Sequence, residues 1–129
     1  MSCADSITEM LADAHFSCYF SKVSPSALDC AEPIVVLDGE FERDSRMTEE
    51  ERGTVTVTML VVREVSSDAE EVATAAERAV RRADWEPYAD AGDCRIVCID
   101  TTAPAFKERD SSGRHVWAFD VSCAVVRSL

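Results

Sequence analysis

Six cysteines, two histidines and a short acidic run are the side chains with the clearest reactive or ligating potential. A general base must lie within hydrogen-bonding reach of a nucleophile or be oriented by a carboxylate. Neither His15 nor His115 has such a partner at a spacing typical of a catalytic pair. Both histidines are therefore predicted to be surface or boundary residues. The sequence predicts no catalytic residue and no enzyme.

The cysteines are predicted to be reduced and mostly buried. Cys18, Cys94, Cys98 and Cys123 lie within apolar patterns, where an unoxidised cysteine behaves as a small hydrophobic side chain. Cys94 and Cys98 form the one close pair in the sequence, and their spacing would place both on one face of a strand. Zinc sites prefer a CxxC-like spacing and a matching second pair, which the sequence lacks. We expect no structural metal and no cofactor.

The acidic run TEEER, residues 48–52, belongs to a charged connection that spans residues 45–52. This connection is too long and too charged for a tight hairpin turn. It lacks the alternating oxygen ligands and turn glycine of a calcium loop. We therefore predict a solvated loop. Four scattered glycines provide no phosphate-binding loop either.

Composition restricts the classes of partner. The formal net charge is −12 at pH 7, from 25 acidic and 13 basic residues. This charge disfavours a surface that neutralises phosphates or docks on anionic lipid. No basic start, no apolar export segment and no membrane-length apolar run is present, so the expected location is the cytoplasm. A length of 129 residues predicts a single domain, residues 1–129.

Two helices are predicted from capping boxes, one at Ser6 and Glu9 and one at Ser67 and Glu70. Each box precedes apolar residues at helical spacing. The first stripe is Ile7, Met10, Leu11, Ala14 and Cys18, and the second is Val72, Ala76, Ala79, Val80 and Ala83. The alanine-rich stripe would allow the second helix to approach a sheet closely.

Alternating apolar residues predict four strands, within residues 32–44, 53–64, 94–100 and 113–129. In the first of them, Val35, Leu37 and Phe41 are expected on one face, with Gly39 as a candidate bulge. The first two strands are expected to pair antiparallel. The predicted fold class is α+β: a single antiparallel or mixed sheet of about four strands with both helices packed on it, in the order α, β, β, α, β, β.

The last strand has two apolar faces. Its odd positions from Trp117 to Val125 are typical of a buried face, and Trp117 and Phe119 are expected to be largely buried. Its even positions include Ala118, Ser122 and Ala124, a face too apolar to be simply solvated and too small for a second core layer. We expect either a neighbouring subunit or one of the two helices of the same chain to cover it.

The leading helix, the charged connection DSRMTEEERG, the alanine-rich helix and the closing VWAFDVSCAVVRSL resemble the small tail-terminator and minor tail or head-tail joining proteins of tailed bacteriophages and prophages. The resemblance covers residues 34–129. It implies a homo-oligomeric ring, often six-fold, that caps the tail tube, joins it to the head and lets DNA pass without specific binding. It implies tail-tube and head-completion partners, assembly in the cytoplasm, a place in the virion and no catalytic residues.

On this interpretation, assembly contacts are expected in the charged connection and on the second face of the last strand. The candidates are Arg46, Glu49, Glu50, Glu51, Arg52, Ala118, Ser122 and Ala124. An acidic channel wall would repel DNA phosphates, and its candidates are Asp38, Glu40, Glu42, Glu49, Glu50 and Glu51. Two alternatives stay open. One is a small cytoplasmic α+β binding module for a protein or small ligand, which would have a concave apolar pocket and remain monomeric. The other is a thiol-dependent enzyme, which would have a reactive cysteine near His15 or His115.

Overall fold

The structure is a computed structural model that describes residues 3–16, 18–20, 34–46, 50–92 and 94–128. Its helices are α1 (Cys3–Asp13) and α2 (Ser66–Arg82), followed by a short 3₁₀ helix, Glu86–Tyr88. Its strands are β1 (Cys18–Phe20), β2 (Ile34–Leu37), β3 (Phe41–Arg46), β4 (Glu50–Arg63), β5 (Cys94–Thr101), β6 (Ala105–Arg109) and β7 (His115–Ser128). No helix in these ranges is long and apolar enough to cross a membrane.

One sheet contains all seven of these strands, and β4 and β7 form its centre. The two central strands pair antiparallel along their whole length, from Glu50 opposite Ser128 to Arg63 opposite His115. β2 and β3 pair with β4, one after the other along its outer edge. β5 and β6 pair with the outer edge of β7 in the same way. β1 joins β2 in the parallel direction. The predicted α+β class is confirmed, but the sheet is larger than the four strands expected.

The main core lies between the sheet and the two helices. Odd-numbered residues of the central strands point to this side, and Val57, Phe119 and Val121 are at most 2% exposed. α1 and α2 both contribute to the same cluster, so the prediction that the helices pack on one face of the sheet is confirmed. Each large apolar side chain buried here contributes about 1.5–3 kcal/mol.

The alanine face of α2 permits close packing on the sheet. Ala69, Ala73 and Ala76 are fully buried there, because short side chains do not hold the helix away. Trp117 lies at the rim of the core and is only partly buried. Its indole Nε1 donates a hydrogen bond of 3.0 Å to Ser66 Oγ, which ties the first turn of α2 to β7.

Neither predicted capping box starts a helix. α1 begins at Cys3, so Ser6 lies within the helix, fully buried, and its hydroxyl donates to the Asp90 carbonyl oxygen at 3.4 Å. α2 begins at Ser66, after Val65, and no side chain caps it. A serine hydroxyl can bond a helix end or a tertiary partner, and that of Ser6 bonds a tertiary partner.

α1 also ends sooner than its apolar stripe predicts. It stops at Asp13, and His15 then adopts a φ of 70°, in the left-handed region that ends helices. Phe16 N donates to the Leu11 carbonyl oxygen at 2.8 Å and closes this turn. Cys18 therefore belongs to β1 and not to the helical stripe.

A bulge at Gly39 divides the predicted strand of residues 32–44 into β2 and β3. Leu37 pairs with Thr58 and Phe41 pairs with Val55, so β2 and β3 together contain one residue more than the opposing part of β4. A Cβ atom at Gly39 would overlap the carbonyl oxygen of Thr56, which explains the glycine. The predicted common face for Val35, Leu37 and Phe41 is wrong, because the extra residue moves Phe41 to the helix side.

Two predicted connections are largely strand. Within residues 45–52, β3 continues to Arg46 and β4 starts at Glu50, while residues 47–49 lie outside the described part of the chain. Within residues 101–113, Ala105–Arg109 forms β6. Charged residues have a low propensity for strands. Here, backbone pairing with a long neighbouring strand outweighs that low propensity.

A buried carboxylate connects α2 to β5. Glu77 is 7% exposed and accepts hydrogen bonds from Thr101 Oγ1 at 2.7 Å and from Arg81 Nε at 3.0 Å. Burial alone would raise the pKa of Glu77, but the Thr101 hydroxyl and the Arg81 guanidinium outweigh it, so the pKa is lowered. The ionised form of Glu77 therefore stabilises the folded state.

Replacing Glu77 by Gln tests this connection. The contribution of a group with a lowered folded-state pKa is present above its ordinary value of 4.5 and disappears as the pH falls through the lowered value. We expect Glu77→Gln to reduce the free energy of unfolding by about 1–3 kcal/mol at pH 7. In urea unfolding series, the difference from wild type should shrink steadily below pH 4.5. A difference that is the same at neutral and at acidic pH would contradict this account.

Candidate functional site

The pairing of β4 with β7 brings several predicted contacts together on the sheet face opposite the helices. Arg52 pairs with Val126, Thr54 with Ala124 and Thr56 with Ser122. Paired residues share a face and successive residues alternate between faces. We call this surface the open face and define it by Thr54, Thr56, Thr58, Asp120, Ser122, Ala124 and Val126.

The open face is made mostly of small side chains. Thr56 is exposed and the other six residues are half-buried. Neither helix lies over it, because α1 and α2 both pack into the cluster on the opposite side of the sheet. The expectation that one of the chain's own helices covers this face is therefore wrong.

Three threonines of β4 join the open face although the predicted contacts do not include them. Thr54, Thr56 and Thr58 alternate with buried valines along the strand. This alternation is the sequence pattern from which their place on the open face could have been predicted. Thr58 Oγ1 donates to Asp120 Oδ1 at 2.8 Å across the strand pair. Asp120 N also donates to Thr102 Oγ1 at 2.8 Å. The first bond holds the Asp120 carboxylate in place, and the second holds the Asp120 backbone.

Ala118 lies on the same side of the sheet as the open face, but at the end of the sheet where the apolar side chains are buried. A second apolar cluster there consists of Val35, Leu60, Val62 and Val116, all at most 8% exposed, with Leu37 and Ala118 packed against it. Ala118 therefore contributes to internal packing. Of the predicted contacts on β7, Ser122 and Ala124 remain on the open face.

A bulge in β5 separates two cysteines that the sequence placed together. Cys94 pairs with Arg127 and Cys98 with Ala124, and the register shifts between Ile96 and Cys98. Cys94 therefore faces the helices while Cys98 borders the open face, so their predicted common face is wrong. Cys98 is exposed, which also departs from its predicted burial.

Glu51 lies on the helix side and is not a solvated loop residue. It is 6% exposed and accepts a hydrogen bond of 2.7 Å from Arg127 Nε. Arg43 Nη1 is 3.6 Å from its second carboxylate oxygen. Both arginines partly compensate the cost of burying this charge. The predictions of a solvated loop, an exposed assembly contact and a channel-lining acid at Glu51 are therefore wrong.

An aromatic ring supports the same ion pair. The Arg127 guanidinium stacks on the Phe41 ring, 3.9 Å from its centroid. This ring occupies the space beside Gly53, where a Cβ atom would lie 2.5 Å from Phe41 Cζ. Gly53 is thus required for the cluster. Neither Phe41 nor Arg127 was among the predicted contacts.

The remaining candidates from the charged connection have different positions. Glu50 and Arg52 form an ion pair of 3.7 Å, with side chains 38% and 59% exposed, and their even positions place them beside the open face. Arg46 is the backbone partner of Glu51 in β3. Glu49 lies outside the described residues.

The two histidines lie in different elements of the fold. His15 is exposed in the turn after α1, and His115 Nδ1 donates to the Glu64 carbonyl oxygen at 3.1 Å. In the described ranges, no three His, Cys, Asp or Glu residues lie close enough together to hold a metal ion.

The fold and this surface define a class: an α+β protein whose sheet carries two helices on one face and small, partly exposed side chains on the other. No protein-family profile matches the chain, and no curated protein matches it.

Two neighbouring glutamates test the assignment of the two faces. Glu51→Gln should reduce the free energy of unfolding by about 1–3 kcal/mol, because it weakens charge-assisted hydrogen bonds to a buried group. Glu50→Gln makes the same chemical change in an exposed ion pair and should cost less than about 1 kcal/mol. Chemical denaturation at neutral pH measures both. Equal losses for the two variants would contradict the assignment.

Proposed function

We propose that this protein is a structural component of a phage or prophage virion, of the tail-terminator or head-tail joining type. Its copies form a ring that caps the tail tube and joins it to the head. The observation that supports this most is the open face, with its half-buried Ser122, Ala124 and Val126, over which neither α1 nor α2 lies. Small side chains allow a second surface to approach closely, and covering their apolar atoms favours association.

The sheet edges favour association through the face and not through edge pairing. β5 has a bulge between Ile96 and Cys98, and β6 has one between Phe106 and Glu108. Bulges interrupt the regular row of backbone groups that another strand would use. Exposed Arg95 borders the open face and provides the polar rim typical of protein interfaces.

The ring's partners are tail-tube and head-completion proteins, and DNA passes through its channel without specific binding. Asp38, Glu40 and Glu42 are exposed and are the acids we assign to the channel wall, where they repel phosphates. Assembly takes place in the cytoplasm and the product resides in the virion. None of these roles requires a catalytic residue.

A cleft beside β5 supports the alternative of a binding module. It has a volume of about 330 Å³ and lies between the segment that begins at Trp85 and the strand residues from Arg95 to Ile99. That volume is at the lower end of the range for small-molecule sites. A monomeric chain that a small ligand stabilises at this cleft would favour the alternative.

A charged substitution on the open face tests the ring. Ala124→Arg places a long cation on this surface, while Ala75→Arg makes the same change on the exposed side of α2. We expect wild type and Ala75→Arg to assemble alike in sedimentation velocity and light scattering. Ala124→Arg should remain monomeric, with an association constant reduced at least tenfold, because a desolvated unpaired charge is costly.

The folded state of both variants is checked by circular dichroism. If wild type stays monomeric at high concentration and binds no tail-tube protein, the ring proposal is wrong. Equal assembly by Ala124→Arg and wild type would exclude the open face as the interface.

Salt provides an independent test of assembly. Each subunit has a formal charge of −12, so subunits repel one another when they associate. Screening weakens this repulsion, and the Debye length falls to about 8 Å near 0.15 M ionic strength. We expect sedimentation to show stronger association as salt rises from low concentration to this range. Association that weakens with salt would indicate attractive ion pairs across the interface instead.

A further inference from the structure

A cluster of aromatic side chains lies where β6 pairs with the start of β7. The centre of the Phe106 ring is 6.2 Å from that of Trp117, in an edge-to-face arrangement, and 6.1 Å from that of His115. Phe106 is 49% exposed, and Val65, just before α2, is 53% exposed. We call this surface the aromatic ledge and define it by Val65, Phe106, His115 and Trp117.

Two hydrogen bonds attach the aromatic ledge to the connection between β4 and α2. Trp117 Nε1 donates to Ser66 Oγ at 3.0 Å, and His115 Nδ1 donates to the Glu64 carbonyl oxygen at 3.1 Å. Val65 lies between these two attachment points in the chain. Aromatic side chains that are already held in place lose little conformational entropy when another surface covers them. Such side chains dominate the binding energy of many protein interfaces.

Phe106 is not required to cover the core of its own chain. All five residues of β6 are exposed, and Phe106 belongs to neither of the apolar clusters that the described residues form. An exposed group of aromatic and apolar side chains with polar neighbours is typical of a protein interaction surface. The aromatic ledge therefore has the character of a contact for another protein surface.

The aromatic ledge and the open face lie on opposite sides of the sheet. Trp117 packs against the core cluster between the sheet and the helices, so the ledge lies on the helix side. The ledge is also at the start of β7, while Ser122 and Ala124 of the open face lie nearer its end. A contact between two different surfaces continues from copy to copy and builds a ring or a filament, whereas a surface that contacts itself closes as a dimer.

The two surfaces are complementary in shape and in charge. The open face consists mostly of small side chains, which leave room for the large ring of Phe106. Arg109 pairs with His115 between β6 and β7 and so lies beside the ledge. Neither Arg109 nor Asp120 of the open face forms an ion pair with any described residue. A contact that brings these two side chains together matches opposite charges.

We propose that the aromatic ledge of one copy packs on the open face of the next copy, and that Arg109 pairs with Asp120 across this contact. The inference rests on the proposed assembly and names the second surface of its interface. One surface ion pair contributes little beside the repulsion between subunits that each have a formal charge of −12. The expected increase of association with salt is therefore unchanged.

A mixture of two complementary variants tests this arrangement. Phe106→Arg disables the ledge, Ala124→Arg disables the open face, and Ala75→Arg is the control on the exposed side of α2. We expect Phe106→Arg to lower the association constant at least about tenfold, while Ala75→Arg assembles like wild type. In sedimentation velocity, an equimolar mixture of Phe106→Arg and Ala124→Arg should form a dimer with one copy of each and nothing larger, because each variant retains one intact surface.

The ion pair has a separate test. Arg109→Glu and Asp120→Lys should each weaken assembly, because each places like charges opposite one another. The chain with both changes should assemble more strongly than either single variant, because the pair is restored in the opposite sense. Circular dichroism establishes that each variant is folded. If Asp120→Lys does not fold, the mixture of Phe106→Arg and Ala124→Arg still decides.

The outcomes distinguish this contact from the assembly itself. Wild type that stays monomeric at high concentration overturns both. Wild type that assembles while Phe106→Arg assembles equally well overturns the aromatic ledge alone. If Phe106→Arg forms a dimer with itself and the mixture contains no dimer of the two variants, the open face contacts a second open face and the proposed arrangement is wrong.

Discussion

The antiparallel pairing of β4 with β7, from Glu50 opposite Ser128 to Arg63 opposite His115, is the constraint on which the rest of the structure depends. In a pair this long, every residue is assigned to one of the two sheet faces, because a shift of one residue would exchange the faces. Burying Val57 and Val121 against the helices therefore leaves Thr56 and Ser122 on the other side. The open face is the consequence of forming the core.

The shorter outer strands adapt to this central pair by bulges. The extra residue near Gly39 turns Phe41 toward the helix side, where its ring supports Arg127 and, through it, the buried Glu51. A second bulge near Val97 directs Cys94 inward and Cys98 toward the open face. One irregularity thus builds the ion-pair cluster, and the other determines which of the two cysteines faces the helices. Both depend on a one-residue register change.

Regular alternation made part of this structure predictable. The two faces of the last strand, the burial of Phe119 and the packing of both helices on one face follow from periodicity. The glycine correctly indicated the bulge at Gly39, but periodicity did not predict that this bulge turns Phe41 to the other face. It also did not predict the bulge that displaces Cys98, or β6, whose residues are all exposed. Capping patterns misplaced both helix starts: Ser6 donates to the distant Asp90 carbonyl oxygen inside the fold, and α2 begins at Ser66, before the predicted cap at Ser67. The burial of Glu51 depends on Arg127, 76 residues away in sequence, and local patterns contain no such information.

The central claim is that a second copy of the chain covers the open face. Alkylation of Ser122→Cys measures this directly, with Thr74→Cys on the exposed side of α2 as the reference and peptide mapping to resolve the native cysteines. As the protein concentration rises through the range of assembly, the account predicts that the alkylation rate at position 122 falls at least tenfold while the rate at position 74 stays constant. Rates that remain constant at both positions while the protein assembles would contradict it.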